Sequence, residues 1–274
     1  MIIIGRFLFV LFFLKPLLAV PQNFDMNKSL KDYSGKTKIT SQVRSEGNKA
    51  ILRGTESKKN EEFVLSNYNG IQMSVYPAWD FGFWPKKEPN TIEDFEYNID
   101  GLSELVKWGE KNNMYMIHHC LFFPNKYFPN WFWESNYNAN ELDQILNNYI
   151  EKVLVTNKNG EKINALNVIN EIFDKNGHYR PSGNLNEDVK WMDMGYEKDN
   201  SDLFGDKSIN KSHPLFVRKV LEKTRSLSKA KLEIRDFNIA FGGKKADGLY
   251  QLIKHLKNSN IPIDAIGFQC HLNT

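Results

Sequence analysis

Four short stretches end in side chains able to bind polar groups and move protons: His118-His119-Cys120, Asn170-Glu171, Asp236-Phe237-Asn238 and Gln269-Cys270-His271. Each closes an apolar run of the kind that forms a buried strand. A carboxyl group or an imidazole at such a place can serve as general acid or base, and an amide can hold a substrate by paired donor and acceptor. Taken singly, each has a plainer use: a strand-end Asn or Asp caps a turn, and a Gln or His satisfies a neighbour. Four strands ending alike point to one functional rim. Metal chemistry has less support. His118, His119, Cys120, Cys270 and His271 carry ligand atoms, but adjacent strand residues point to opposite faces. His119 and His271 then share one side, too few for a closed zinc site. Gly242-Gly243-Lys244-Lys245 lacks phosphate-loop spacing, and no G-x-S-x-G elbow occurs. The expectation is no metal and no cofactor.

The elements that must position this rim are legible from periodicity. Leu102, Leu105, Val106 and Gly109 share a helical face, followed by a strand-like run at Met114 to Phe123. Leu142, Ile145, Leu146, Tyr149, Ile150 and Val153 give the strongest helical spacing, followed by a strand at Ala165 to Asn170. Val217, Val220, Leu221 and Thr224 precede a strand at Lys231 to Ala240; Leu249, Leu252, Ile253 and Leu256 precede one at Ile263 to Cys270. Helices alternating with buried strands predict a parallel sheet with helices outside, and chemistry at the strands' C-terminal ends.

With 274 residues, 41% hydrophobic and 25% charged, the chain is neither disordered nor a multi-span membrane protein. Its net charge of +3 is spread without a basic block, so a nucleic-acid partner is not expected. The 13% aromatic content suits sugar-stacking surfaces and a well-filled core equally. Arg6, the apolar run Phe7 to Leu14, Lys15-Pro16 and Leu17-Leu18-Ala19-Val20 read as a secretory signal over residues 1–20, and no stable membrane anchor is expected. Sequons at Asn27 and Asn210 accord with a secreted, extracellular chain. Residues 21–60 read as a polar lead-in and 61–274 as the folded part. Cys120 and Cys270 are expected to be free, buried thiols facing outer helices on strands too far apart to bridge.

Four segments carry a resemblance. Val168-Ile169-Asn170-Glu171 with Phe173-Asp174 is similar to the V-V-N-E-x-F-D motif of family-ten glycoside hydrolases, the endo-1,4-β-xylanases. Ile263 to Leu272 resembles that family's I-D-G-I-G-F-Q-S-H-L, Lys231 to Asn238 its K-L-Y-I-N-D-Y-N, and Met116 to Phe132 its G-H-T-L-V-W-H-x-x-x-P-x-W. The resemblance implies an α/β fold, a (β/α)8 barrel with about six of eight strands present, and cleavage of β-1,4-xylan or a related glycan with retention. It makes Glu171 the acid/base and Asn170 the donor to the sugar 2-hydroxyl. His119, Gln269 and His271 would line the same subsite, while Trp131 and Trp84 would offer stacking surfaces. The departures are equally specific. Gly70-Ile71-Gln72-Met73-Ser74 aligns with a sugar-binding E-N-x-M-K segment and replaces its Glu, Asn and Lys; Phe123 and Pro124 replace Trp and His. No carboxylate follows Asp264, where the family carries its nucleophilic Glu. The 274 residues alone are therefore expected to be weak or inactive, with two edges of an unclosed barrel favouring association. A glycan-binding pseudoenzyme and an incomplete gene product are the rival readings.

Overall fold

The computed structural model describes residues 25, 27–47, 50–74, 83–123, 128–180, 190–199 and 207–271. The signal segment expected at residues 1–20 lies outside them. In chain order the strands are β1 (Thr40–Val43), β2 (Gly70–Ser74), β3 (Tyr115–Phe122), β4 (Ala165–Asn170), β5 (Tyr196–Lys198), β6 (Ser212–Pro214), β7 (Lys231–Phe237) and β8 (Ala265–Gln269). The helices are α1 (Ser57–Asn67), α2 (Asp100–Lys111), α3 (Asn130–Glu134), α4 (Ala139–Val155), α5 (Asn159–Lys162), α6 (Leu215–Leu227) and α7 (Lys244–Asn258).

The long helices form for reasons visible in their residues. At the start of α4 the Asn138 side chain accepts from the backbone N–H groups of Asn140 and Glu141, and Glu141 accepts in return from the Asn138 N–H at 2.7 Å. This reciprocal cap satisfies donors that a helix start leaves unpaired. One stripe of α4, Leu142, Ile145, Leu146, Tyr149, Ile150 and Val153, is then fully buried. Helices α2, α6 and α7 bury similar stripes at three- and four-residue spacing.

Those stripes cover the outer face of a six-stranded, all-parallel sheet of order β1-β2-β3-β4-β7-β8. The sheet is curled. Arg235 on β7 donates to the Gln72 side chain on β2, although three strand spacings, about 14 Å if flat, separate the two strands. Residues alternate along β7: Leu232, Ile234 and Asp236 are buried toward the helices, while Glu233, Arg235 and Phe237 face the concave side. A parallel strand–helix series curled with its helices outside is part of a (β/α)8 barrel.

Three expectations need correction. First, the sheet begins at Thr40, inside the 21–60 stretch read as a lead-in, and Val43, Ala50 and Ile51 are core residues. Thr40-Ser41-Gln42-Val43 has one apolar residue; Gln42 meets the polar lumen, where it donates to Ser74 Oγ at 2.7 Å. Second, Cys120 is buried but Cys270 is exposed; both are free. No described helix covers the outer face of the edge strand β8, so Ile266 (37% exposed), Phe268 (56%) and Cys270 stand open together. Third, Asn210 of the second sequon is buried, its amide donating to the Gly177 carbonyl at 3.0 Å, and offers no acceptor site for a glycan. Asn27 is exposed. Among the described residues no helix is long and apolar enough to cross a membrane.

Between β4 and α6 the chain forms an antiparallel β5–β6 hairpin that lies outside the main sheet. Periodicity gave no sign of it, since each strand is only three residues long.

Candidate active site

Glu171 follows directly on β4 with a left-handed backbone (φ 57°), which turns the chain sharply at the strand end. Its N–H donates to the Arg235 carbonyl at 2.8 Å, and its carbonyl accepts from Arg180 Nε at 2.9 Å. The backbone is thereby held from both sides, and the carboxylate is left half-exposed at the rim. Asn170 is fully buried beside it, with Nδ2 3.2 Å from Glu171 Oε1.

A chain of hydrogen bonds fixes that amide. Asn170 Oδ1 accepts from Asn167 Nδ2 at 2.9 Å and from Gln269 Nε2 at 2.8 Å, which directs Nδ2 toward Glu171. The second proton of Asn167 Nδ2 faces His119 Nδ1 at 2.7 Å. At the far end His271 Nε2 lies 3.2 Å from Gln269 Oε1. His119, Asn170, Glu171, Gln269 and His271 are thus drawn into one array across β3, β4 and β8. Burial, then the Arg235 and His118 charges, lower the His119 pKa from 6.5 to about 3. The imidazole is neutral at ordinary pH. With Nδ1 accepting from Asn167, its proton sits on Nε2.

Asn167 is the member that motif reading missed. In a regular strand Asn167 and Asn170 would point to opposite faces. A register shift opposite β7 between Asn167 and Ile169, and another opposite β3 between His119 and Phe122, bring the two amides together. The available signal was a lone polar residue inside Ala-Leu-Asn-Val-Ile, because a buried amide requires partners.

Other expected residues lie elsewhere. Trp84 is 5% exposed at the centre of an aromatic cluster, against Phe95, Tyr97, Phe128, Phe132, Tyr149 and Trp191. Its ring has no open face, so it is a core residue and not a stacking platform. Trp131 is half-buried on the flank of that cluster, its indole N–H donating to the Pro85 carbonyl at 3.0 Å, with no hydrogen bond to the Asn170 array. His118 packs against Phe83 on the helix side of the sheet, while His119 faces the lumen.

The nearby carboxylates are already committed. Asp236 is fully buried; its Oδ1 lies 2.7 Å from Lys245 Nζ, and its oxygens accept from the N–H groups of Phe173 and Phe237. Burial raises its pKa, against the pull of Lys245. It ties the loops after β4 and β7 together and has no route to a substrate. Glu233 pairs with Arg235 lower on the concave face. Between those two loops lies a cavity of about 470 Å³, bordered by Phe173, Arg180, Phe237 and Lys244.

A curled parallel sheet carrying an acid, two amides and a neutral imidazole at its strand ends has the layout of a barrel enzyme. The chain belongs to glycosyl hydrolase family 10, whose profile matches residues 84–274. It is 29% identical over 191 residues to endo-1,4-beta-xylanase C of Phanerodontia chrysosporium, covering 69% of this chain and 40% of that protein. Against endo-1,4-beta-xylanase B of Neocallimastix patriciarum it is 30% identical over 248 residues, 83% of this chain and 26% of the relative. The chain therefore spans less than half the length of these relatives. Xylanase 10B from Thermotoga petrophila RKU-1, solved with xylobiose, superposes with a TM-score of 0.67 at 21% identity, over 91% of this chain and 65% of that one. At that identity the likeness shows the fold.

Proposed function

We propose that the chain supplies the acid/base half of a retaining endo-1,4-β-xylanase site. The observation that carries this reading is the locked Asn170-Glu171 pair, with Asn170 held at its oxygen by Asn167 and Gln269. In the proposed reaction Glu171 protonates the glycosidic oxygen as a second carboxylate attacks the anomeric carbon from the opposite face. Glu171 then takes a proton from the water that releases the sugar. Asn170 Nδ2 donates to the sugar 2-hydroxyl, and His119, Gln269 and His271 bind the same ring. The attacking carboxylate must lie roughly 5–5.5 Å from the acid. Among the described residues Asp236 and Glu233 are tied to Lys245 and Arg235. A general acid alone contributes about 10²–10⁴-fold, small beside the ~10⁶-fold or more of whole enzymes.

We therefore expect slow hydrolysis by the 274 residues alone, and full activity in a longer product that adds, after β8, a strand carrying a glutamate. The test assays residues 20–274, the longer product and the Glu171→Gln variant of each on aryl xylobiosides and xylan. Activity in the longer product that Glu171→Gln abolishes supports the reading. Robust turnover by residues 20–274 would refute the division of the site. Xylan binding without turnover in every form would establish the glycan-binding alternative. Secretion belongs to the same proposal and rests on the apolar N-terminal run; N-terminal sequencing of exported product should give a start near residue 20.

A further inference from the structure

Away from the rim, the β5–β6 hairpin meets the last turn of α7 around a second set of chemically capable side chains. Asp199 follows β5, His213 lies on β6 and His255 lies on α7. Each offers one ligand atom, and those atoms lie within 4.8 Å of one another. The side chains are 6%, 1% and 6% exposed. Nothing in the xylanase reading uses them, and they are separate from the histidines weighed in the sequence.

The three side chains converge, and each ring has a hydrogen-bond partner on its far side. His213 Nε2 lies 3.0 Å from Asp199 Oδ2, and His255 Nδ1 lies 3.6 Å from Asp199 Oδ1. A tetrahedral ion with bonds of about 2.0–2.1 Å has ligand–ligand edges of about 3.3 Å, inside the 4.8 Å within which one ligand atom from each residue lies. The other nitrogen of each ring is held from behind. His213 Nδ1 meets the Tyr179 hydroxyl, and His255 Nε2 meets Glu197 Oε1 at 2.8 Å. Glu197 is in turn fixed by Arg218 Nε at 2.8 Å. Metal-binding histidines are oriented by such outer partners, which fix which nitrogen carries the proton. The two rings lie 4.1 Å apart between centroids, and both reach the carboxylate of Asp199.

We propose that Asp199, His213 and His255 bind one divalent cation of the zinc class through the Asp199 carboxylate, His213 Nε2 and His255 Nδ1, with water completing the shell. The two imidazole nitrogens are borderline donors suited to such ions, and one carboxylate alone is too few oxygen ligands for calcium or magnesium. The ion joins the hairpin to α7. Through Tyr179 it also braces the loop behind the acid: Tyr179 forms an isolated bridge with Phe173, and the adjacent Arg180 holds the Glu171 carbonyl.

The test uses the full chain, stripped with chelator, in a Cys270→Ser background that removes the exposed thiol. Titration with ZnCl₂ alone by calorimetry should give one equivalent. Long-range ¹⁵N spectra of the histidines should show metal shifts at His213 Nε2 and His255 Nδ1 and at no other ring. Asp199→Asn and His255→Gln should each weaken binding more than 100-fold. Glu197→Gln leaves the three ligands in place and should still bind one equivalent, about 10–100-fold more weakly; it serves if the ligand variants fail to fold. Binding below one equivalent, affinity unchanged in Glu197→Gln, or metal shifts confined to His271 or His178 would overturn the proposal. So would ring nitrogens that respond only to pH, the behaviour of a buried His–Asp ion pair.

Discussion

Acid should destabilise this fold through His119, by an amount that follows from its burial. In the unfolded chain the imidazole has a pKa near 6.5; in the folded chain it is lowered to about 3. Between those values the unfolded state binds a proton that the folded state refuses, so stability falls as pH falls through the window and is fully present above it. The loss from about pH 8 to about pH 5 is roughly 2 kcal/mol, because the unfolded state alone titrates over that range. His213 is shifted in the same direction by burial, so the wild-type slope contains more than one histidine. The perturbation that isolates His119 is His119→Gln, which removes the titration and keeps an acceptor for the Asn167 amide. Urea unfolding curves at several pH values give the comparison. The wild-type-minus-variant difference should change by about 2 kcal/mol between the two ends. A difference that stays flat would mean that His119 is protonated in the folded chain, and the assignment of its proton to Nε2 would fall with it.

Asn167→Ala leaves the His119 ring nitrogen and part of Asn170 Oδ1 without a donor, and should cost about 2–4 kcal/mol in a denaturant melt, against near neutrality for a surface Asn. Asp236→Asn removes the counter-ion of buried Lys245 and should cost about 3–5 kcal/mol, also by urea melt; a loss under about 1 kcal/mol would refute the staple role of that pair. A thiol reagent applied to the native chain should label Cys270 rapidly and Cys120 only on unfolding, with mass spectrometry locating each adduct.

How much of this was legible in sequence can be judged element by element. Helices α2, α4, α6 and α7 came through because their apolar residues recur every three or four positions over several turns, as in Leu142 to Val153, whereas α1 buries a single residue, Val64, and showed no such stripe. β3, β4, β7 and β8 came through as apolar runs ending in polar groups. β1 did not, because a four-residue strand at a sheet edge, with a polar concave face, has no hydrophobic signature. At the site the motif residues that meet in space, His119, Asn170, Glu171, Gln269 and His271, were readable. Asn167 was hidden by register shifts that alternation cannot foresee. Trp84 was misplaced for a different reason: aromatic content does not say whether a ring faces a sugar or other rings of the core. The Asp199–His213–His255 cluster was invisible because it is assembled across a hairpin whose strands are three residues long.

The left-handed backbone at Glu171 bears on the history of the chain. A side chain other than glycine in that conformation carries a penalty of roughly 1–2 kcal/mol. Glycine adopts it freely, and the genetic code puts glycine one nucleotide from either glutamate codon. In a lineage that no longer used the carboxylate, mutation would find that relief early and selection for stability would retain it. On the proposed acid/base role, position 171 is where release from that duty would be written first, and a glutamate at that backbone angle accords with the proposal.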